Sequence, residues 1–182
     1  MKAVLTGATG HLGANLTRAL LEGEHSVRAV VRDDTRAIDG LDVERVEGDV
    51  LDRGSLERAF RSADVVFHLA AKVSVGHEPY EELHRLNVVG PQNVVEACRT
   101  AGVRRLVHFS SIHAFSPFPA DGEIDESRAL ADPDDATMPS YDRTKSAGQR
   151  AVLAAVEQGL DAVIVNPTAV IGPNDFKPSP LG

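Results

Sequence analysis

The sequence has no tryptophan, two tyrosines and a single cysteine, Cys98, among its 182 residues. One cysteine excludes an internal disulfide framework, so the fold has to rest on burial and backbone hydrogen bonding. Cys98 ends the helical run Val94-Val95-Glu96-Ala97-Cys98, where it reads as a small buried hydrophobe. No apolar run approaches the roughly 20 residues that a membrane-spanning helix needs. Basic residues are few: 19 Lys and Arg against 27 Asp and Glu leave a formal net charge of -8. Such a surface offers no broad patch for nucleic-acid phosphates and does not suit an anionic membrane, so neither partner is expected. The sequence begins on an apolar strand rather than a charged-then-apolar leader, and the expected location is cytoplasmic. Metal-ligand spacing is also missing. The seven histidines show no H-x-x-x-H or H-E-x-x-H arrangement, so no metal site is expected.

What is present is a regular alternation of apolar strands and helical segments. Ala3-Val4-Leu5-Thr6 is a strand, and 11–22 has helical spacing, with Leu12, Leu16, Ala19 and Leu20 on one side and Gly23 at its end. Further strands are expected at 26–31, 43–47, 64–69, 105–109 and 162–165. Helices are expected at 52–61, capped by Asp52, at 80–100, ended by Gly102, and at 140–158, ended by Gly159. Near-continuous apolar strands separated by helices specify an α/β fold, a doubly wound parallel sheet of about six strands with helices on both faces. Two segments break the rhythm: 116–139, rich in Pro, Asp and Ala, and the tail after Ile171. Both follow strand C-terminal ends, where open α/β sheets place their ligand crevices.

The loop Gly7-Ala8-Thr9-Gly10-His11-Leu12-Gly13 follows the first strand and opens the first helix. That context turns a weak glycine triplet into a dinucleotide fingerprint. Gly7 allows the sharp turn, Gly10 lets backbone N–H groups approach a pyrophosphate, and Gly13 lets helix and strand pack closely. The helix N-terminus adds its partial positive charge. At the tip of the second strand, Val30-Val31-Arg32 carries arginine where an NAD-preferring domain carries an acid. Arg32, supported by Arg36, suits a 2′-phosphate, so NADP(H) is favoured. Asp33 and Asp34 keep NAD(H) open.

The G-x-x-G-x-x-G spacing resembles the extended and atypical short-chain dehydrogenase/reductase family. The resemblance implies a Rossmann domain over 1–170 and cofactor contacts at Gly7, Thr9, Gly10, His11, Leu12, Gly13, Arg32, Arg36, Asp49, Val50, Leu69, Ala70, Ala71, Pro167 and Thr168. Asp49-Val50 matches the family's adenine-binding position, Leu69-Ala70-Ala71 its small-residue loop, and Asn166-Pro167-Thr168 its segment at the nicotinamide end.

Tyr141-Asp142-Arg143-Thr144-Lys145 is a Y-x-x-x-K sequence on one helix face. A nearby ammonium favours phenolate, which makes Tyr141 a candidate general acid and base for hydride chemistry at a carbonyl. The resemblance makes Ser111 of Phe109-Ser110-Ser111 the hydroxyl that holds the substrate oxygen, with Ser110 the better fit to a strand-end serine bonded to backbone. It makes Tyr141 and Lys145 cofactor contacts as well. Asn87, a poor residue for a helix interior, either binds a proton-relay water beside Lys145 or fixes its helix against the active-site strand. His113 lies near Ser111, but no G-x-S-x-G elbow supports a hydrolase, so it reads as a loop residue near the substrate.

Val31-Arg32 and the ending Asn174-Asp175-Phe176-Lys177-Pro178-Ser179 look most like the dihydroflavonol-reductase-like and nucleotide-sugar epimerase/dehydratase branches. Family members continue into a C-terminal domain that holds the substrate, so 171–182 is expected to be a loop leading toward a domain this sequence does not contain. Cofactor binding should survive that loss better than turnover. The first expectation is an NADP(H)-dependent oxidoreductase acting on a small-molecule carbonyl or hydroxyl substrate. The alternatives are a nucleotide-sugar epimerase or dehydratase with tightly held NAD, and a non-catalytic NAD(P)-binding module or fragment. The helices at 80–100 and 140–158 form a dimer face in the family, which implies a homodimer by analogy.

Overall fold

The computed structural model describes residues 1–74 and 78–176. Six strands form one parallel sheet: β1 (Lys2–Thr6), β2 (Ser26–Val31), β3 (Glu44–Glu47), β4 (Val65–His68), β5 (Arg105–Phe109) and β6 (Ala162–Val165). Their order is β3-β2-β1-β4-β5-β6. The chain runs outward from β1 in one direction and then returns to lay β4 on its other side. The crossovers on either side of that reversal diverge, and they leave a crevice above the carboxyl ends of β1 and β4.

The five α-helices among the described residues are α1 (His11–Glu22), α2 (Arg53–Ala59), α3 (Tyr80–His84), α4 (Gly90–Ala101) and α5 (Ser140–Glu157). On one face, Leu56 of α2, Val94 and Cys98 of α4 and Val152 of α5 bury against Val4, Val66 and Leu106. On the other, Leu20 of α1 and Ile38 pack on Ala3, Leu5 and Ala29. Helices thus cover both faces, although on the α1 side the far edge is thinly covered, with Val163 of β6 45% exposed. Cys98 is fully buried, and burial pushes its thiol up to about 12, so it behaves as the inert hydrophobe its setting suggested. No helix among the described residues is long and apolar enough to cross a membrane.

Two local expectations are corrected. The helix expected at 80–100 is interrupted by a π turn at Arg85–Val89. Pro91 has no N–H to bond the carbonyl of Asn87, and α5 presses Gly148 against that carbonyl so closely that a Cβ there would lie 2.1 Å from it. Asp52 stands at the N-cap of α2, but its carboxylate caps nothing; its carbonyl instead accepts from Ser55 N at 3.1 Å and Ser55 Oγ at 2.7 Å. Gly23 is the C-cap of α1 as expected, at φ -79°, and the left-handed residue that follows is Glu24 at φ 57°. Gly102 and Gly159, by contrast, take the expected positive φ, at 66° and 95°.

The tail after β6 folds back on α1. His11, Asn15 and Arg18, at i, i+4 and i+7, all reach it: His11 Nε2 lies 3.1 Å from Gly172 O, Asn15 donates to Pro173 O at 2.9 Å, and the Arg18 guanidinium sits 6.0 Å from the Phe176 ring. Lys177, Pro178 and Ser179 of the motif at the end of the sequence lie outside the described residues.

Candidate functional site

A cleft of about 370 Å³ occupies the crevice at the sheet's carboxyl edge. Gly7, Thr9, Gly10, Arg32, Asp49, Val50, Leu69, Ala70 and Ala71 all line it, drawn from the loops after β1, β2, β3 and β4. Two of the glycines answer to the protein's own packing. A Cβ on Gly7 (φ 76°) would lie 2.6 Å from Ala70 N, and one on Gly13 would lie 2.1 Å from Gly7 O. Gly10 is different, because a Cβ there would meet nothing nearer than Gly7 O at 3.4 Å. The fold tolerates a methyl at Gly10, so its bareness serves the cleft it lines. Helix α1 starts at this point with no acidic residue in its first turn and no side-chain cap. Its leading N–H groups and the positive end of its dipole are therefore available to an anion. A pyrophosphate fits this cradle on both geometric and electrostatic grounds.

At the far end of the cleft the Arg32 side chain is 65% exposed and stands 3.7 Å from Asp49 Oδ2. Asp49 is oriented by its other oxygen, which accepts from Leu51 N at 2.9 Å. Arg36 is not brought to the cleft. Asp34 holds its guanidinium at two points, 3.0 and 2.9 Å. His11, Leu12 and Gly13 lie in the first turn of α1 behind the glycine loop, with His11 turned to the tail. Val31 of the strand tip also lines the cleft, as do Gly48 and Leu86, neither of which was singled out from the sequence. Leu86 arrives through the π turn, which has no local signal. Gly48 did carry one: a glycine just before Asp49 at a strand end, where a Cβ would press to 2.8 Å on Val30.

The strand-end serine and the Y-x-x-x-K helix meet as the spacing required. Ser111 follows β5, and its hydroxyl favours the ionised form of the Tyr141 phenol. The Ser111 Oγ accepts from the His113 N–H at 3.2 Å. Lys145 is buried and donates to the Phe109 carbonyl at 3.2 Å, and burial pulls its ammonium down to about 8. Tyr141 departs from the simple expectation. Burial raises its phenol above the ordinary value, outweighing the Ser111 hydroxyl, with the Asp142 charge also raising it. Lys145 is spent on Phe109 and does not counter this. Ser110 departs too, since its buried hydroxyl has no hydrogen-bond partner among the described residues.

Asn87 occupies the π turn and commits its whole amide. Oδ1 accepts from Lys72 N at 2.9 Å, and Nδ2 donates to Lys72 O at 3.0 Å and to Thr144 Oγ1 at 3.4 Å. It clips the loop after β4 to α5. Asn166 was quoted only with its neighbours, yet it does comparable work: Nδ2 donates to Ser111 O at 2.8 Å and to Gln149 Oε1 at 2.7 Å. Pro167 O accepts from Ile112 N at 3.0 Å, while Thr168 is exposed.

Beneath this group lie two buried histidines, His68 and His108, paired across β4 and β5 with ring centroids 5.3 Å apart. His68 Nδ1 bonds Thr6 Oγ1 at 2.7 Å, and His108 Nδ1 has no hydrogen-bond partner among the described residues. Burial drives His68 down to about 3, with the Lys145 charge adding to it, and drives His108 well down as well. Above an unfolded value near 6.5 both states are neutral and nothing is lost. As pH falls from about 6.5 toward 3, the unfolded chain takes up protons that the folded chain refuses, so stability should drop by up to about 1.4 kcal/mol per pH unit for each such histidine. Urea midpoints between pH 7.5 and 5 check this: His68→Gln should flatten the slope relative to the parent, and parallel curves would refute the assignment.

A profile of the NAD dependent epimerase/dehydratase family matches residues 3–182. The chain is 44% identical over 184 residues to sterol demethylase protein B of Methylococcus capsulatus, covering 100% of this chain and 55% of that one. It is 39% identical over 181 residues to a putative dihydroflavonol 4-reductase of Synechocystis, covering 98% and 52%. The crystal structure of gox2253 superposes with a TM-score of 0.88 at 31% identity, over 98% of this chain and 55% of that one. Bordetella bronchiseptica WbmG, in complex with NAD and UDP, superposes at 0.75 with 28% identity, over 90% and 52%. The chain therefore spans about half the length of the relatives it matches.

Proposed function

The chain belongs to the NAD dependent epimerase/dehydratase family, and from that premise we propose that it carries the dinucleotide-binding and catalytic half of an NADP(H)-dependent carbonyl reductase. The observation that carries this reading is the convergence of Ser111, Tyr141 and buried Lys145 at the strand ends next to the glycine cleft. The bound nicotinamide would supply the hydride to the carbonyl carbon. Ser111 holds the substrate oxygen, and Tyr141 gives that oxygen its proton; in the alcohol-oxidising direction Tyr141 takes it back. Lys145, with an ammonium near 8, sits close to its own titration at neutral pH. Asn87 and Asn166 hold the two backbones that frame the site.

Reductase chemistry is favoured by the putative dihydroflavonol 4-reductase among the relatives. A second reading, a nucleotide-sugar epimerase or dehydratase with tightly held NAD, draws on the NAD and UDP bound to WbmG. Cofactor released on denaturing freshly purified protein would favour the second reading. NADPH consumption driven by an added ketone or aldehyde would favour the first.

The preference for NADP(H) rests on Arg32 alone, because Asp34 occupies Arg36. A guanidinium hydrogen-bonded to a 2′-phosphate should make NADPH bind about 10- to 100-fold more tightly than NADH. Arg32→Asp should reverse the order. Fluorescence titration with both cofactors measures it, and tighter NADH binding by the parent chain would overturn this preference.

A further inference from the structure

Tyr141 also stands in the wall of a second cavity, of about 860 Å³, with Glu78, Tyr80, His113, Met138 and Asp142 around it. Its lining includes two carboxylates and, among the described residues, no lysine or arginine. A substrate phosphate or carboxylate would meet repulsion with no counter-charge. One feature of the wall is not explained by the Ser111, Tyr141 and Lys145 chemistry. His113 Nδ1 lies 3.2 Å from Asp142 Oδ1, with the Asp142 side chain only 14% exposed. The imidazole also meets the Tyr141 ring edge-on, at 5.7 Å between centroids.

The pair rides on the two segments that carry the reacting hydroxyls. His113 is two residues past Ser111 and bonds its Oγ through the backbone, and Asp142 directly follows Tyr141. An aspartate on Nδ1 holds the N–H there and leaves a lone pair on Nε2. Nε2 makes no hydrogen bond among the described residues. A fixed acceptor beside the oxygen-holding hydroxyls recognises a donor on the substrate, close to the reacting carbonyl.

We propose that His113, oriented by Asp142, is a specificity-determining residue whose Nε2 accepts a hydrogen bond from a hydroxyl on the carbon next to the reacting carbonyl, so that the preferred substrates are uncharged α-hydroxy ketones and aldehydes. This rests on the carbonyl-reductase reading. Hydride reaches the carbonyl carbon from the reduced cofactor, the proton reaches its oxygen from Tyr141, and the product is a vicinal diol with the neighbouring hydroxyl unchanged.

The test uses a matched pair of probes, hydroxyacetone and butanone, which differ by a hydroxyl in place of a methyl. The 182-residue chain is assayed with NADPH, and histidine-labelled protein is followed by NMR in the presence of NADP⁺, with the His113 signal assigned by its loss in His113→Phe. The parent chain should prefer hydroxyacetone by about tenfold in kcat/KM, mostly through KM. Hydroxyacetone, and not butanone, should move the His113 imidazole signal. His113→Phe should bring the ratio toward one, and His113→Asn, which keeps an acceptor, should restore part of it. Equal use of both ketones by the parent, or a ratio unchanged in His113→Phe, overturns the proposal while leaving the reductase reading standing. If neither ketone consumes NADPH, a selective His113 response to hydroxyacetone keeps the recognition site and removes the reductase reading. No response to either probe removes the site.

Discussion

Tyr141→Phe should lower carbonyl turnover by about 10²- to 10⁴-fold, the usual contribution of a positioned general acid, and leave dinucleotide affinity nearly unchanged. The substitution removes one oxygen. The ring keeps its packing beside His113, and the cleft that holds the dinucleotide does not depend on the phenol for its shape. Ser111 keeps the His113 amide, so the stability cost should be no more than about 1 kcal/mol. Stopped-flow or steady-state NADPH consumption, run beside a cofactor titration, separates the two effects. A variant that turns over at the parent rate would end the mechanism proposed for Tyr141. One that also loses NADPH would show that the phenol serves the cofactor rather than the substrate.

The size of that effect follows from where the phenol sits. Burial favours its protonated form. A proton donor should be protonated at rest, so a raised value is no obstacle to reduction. It does load the reverse reaction, in which the phenol must first give up its proton. Lys145 is the natural counterweight, but its ammonium is itself pulled down by burial and engaged with Phe109.

Most of the fold was legible because it is written in local periodicity. Apolar runs such as Val65-Val66-Phe67-His68 report a strand buried on both faces, and the spacing of Leu16 and Leu20 reports the covered side of α1. The glycine loop was legible for a related reason: Gly7 and Gly13 answer to clashes only a few residues away in sequence, or to the adjacent strand. Ser111, Tyr141 and Lys145 could be read because each sits at a fixed distance from the end of a strand or the start of a helix. What escaped depends on which of several nearby partners a polar group takes, or on contacts between distant segments. Arg36 looked free for a phosphate, yet Asp34 was close enough to take it. Asp52 looked like a cap, but the backbone carbonyl reached Ser55 first. The double clip of Asn87 on Lys72 and the hold of Asn166 on Ser111 join residues 15 and 55 positions apart, and the π turn meets Gly148 of α5 from farther along the chain still. No window of helical or strand spacing reports such pairs.

The sharpest consequence of a long-range contact is at Gly148, in the middle of an 18-residue helix where propensity alone would favour alanine. Gly148→Ala should destabilise the protein by about 1–3 kcal/mol, because an overpacked contact outweighs the gain in helix propensity. Its Cβ would lie 2.1 Å from the Asn87 carbonyl and 3.4 Å from the Pro91 ring. The first of these is backbone, held by the π turn, so either α5 lifts off or the turn shifts. A shift of the turn would drag Asn87 off Lys72, one residue beyond the Ala70-Ala71 floor of the cleft, so dinucleotide affinity should fall along with stability. Gly54→Ala in α2 is the matching control. There a Cβ would meet only the ends of the Asp52 and Arg58 side chains, at 3.4 and 3.5 Å, and both can swing aside. The same chemical change should then stabilise by about 0.5–1 kcal/mol. Urea unfolding of the two variants reads the difference directly. Opposite shifts in midpoint at a common slope support the close approach of α5 to Asn87, whereas a Gly148→Ala protein as stable as the parent would mean that the two helices do not meet as closely as described.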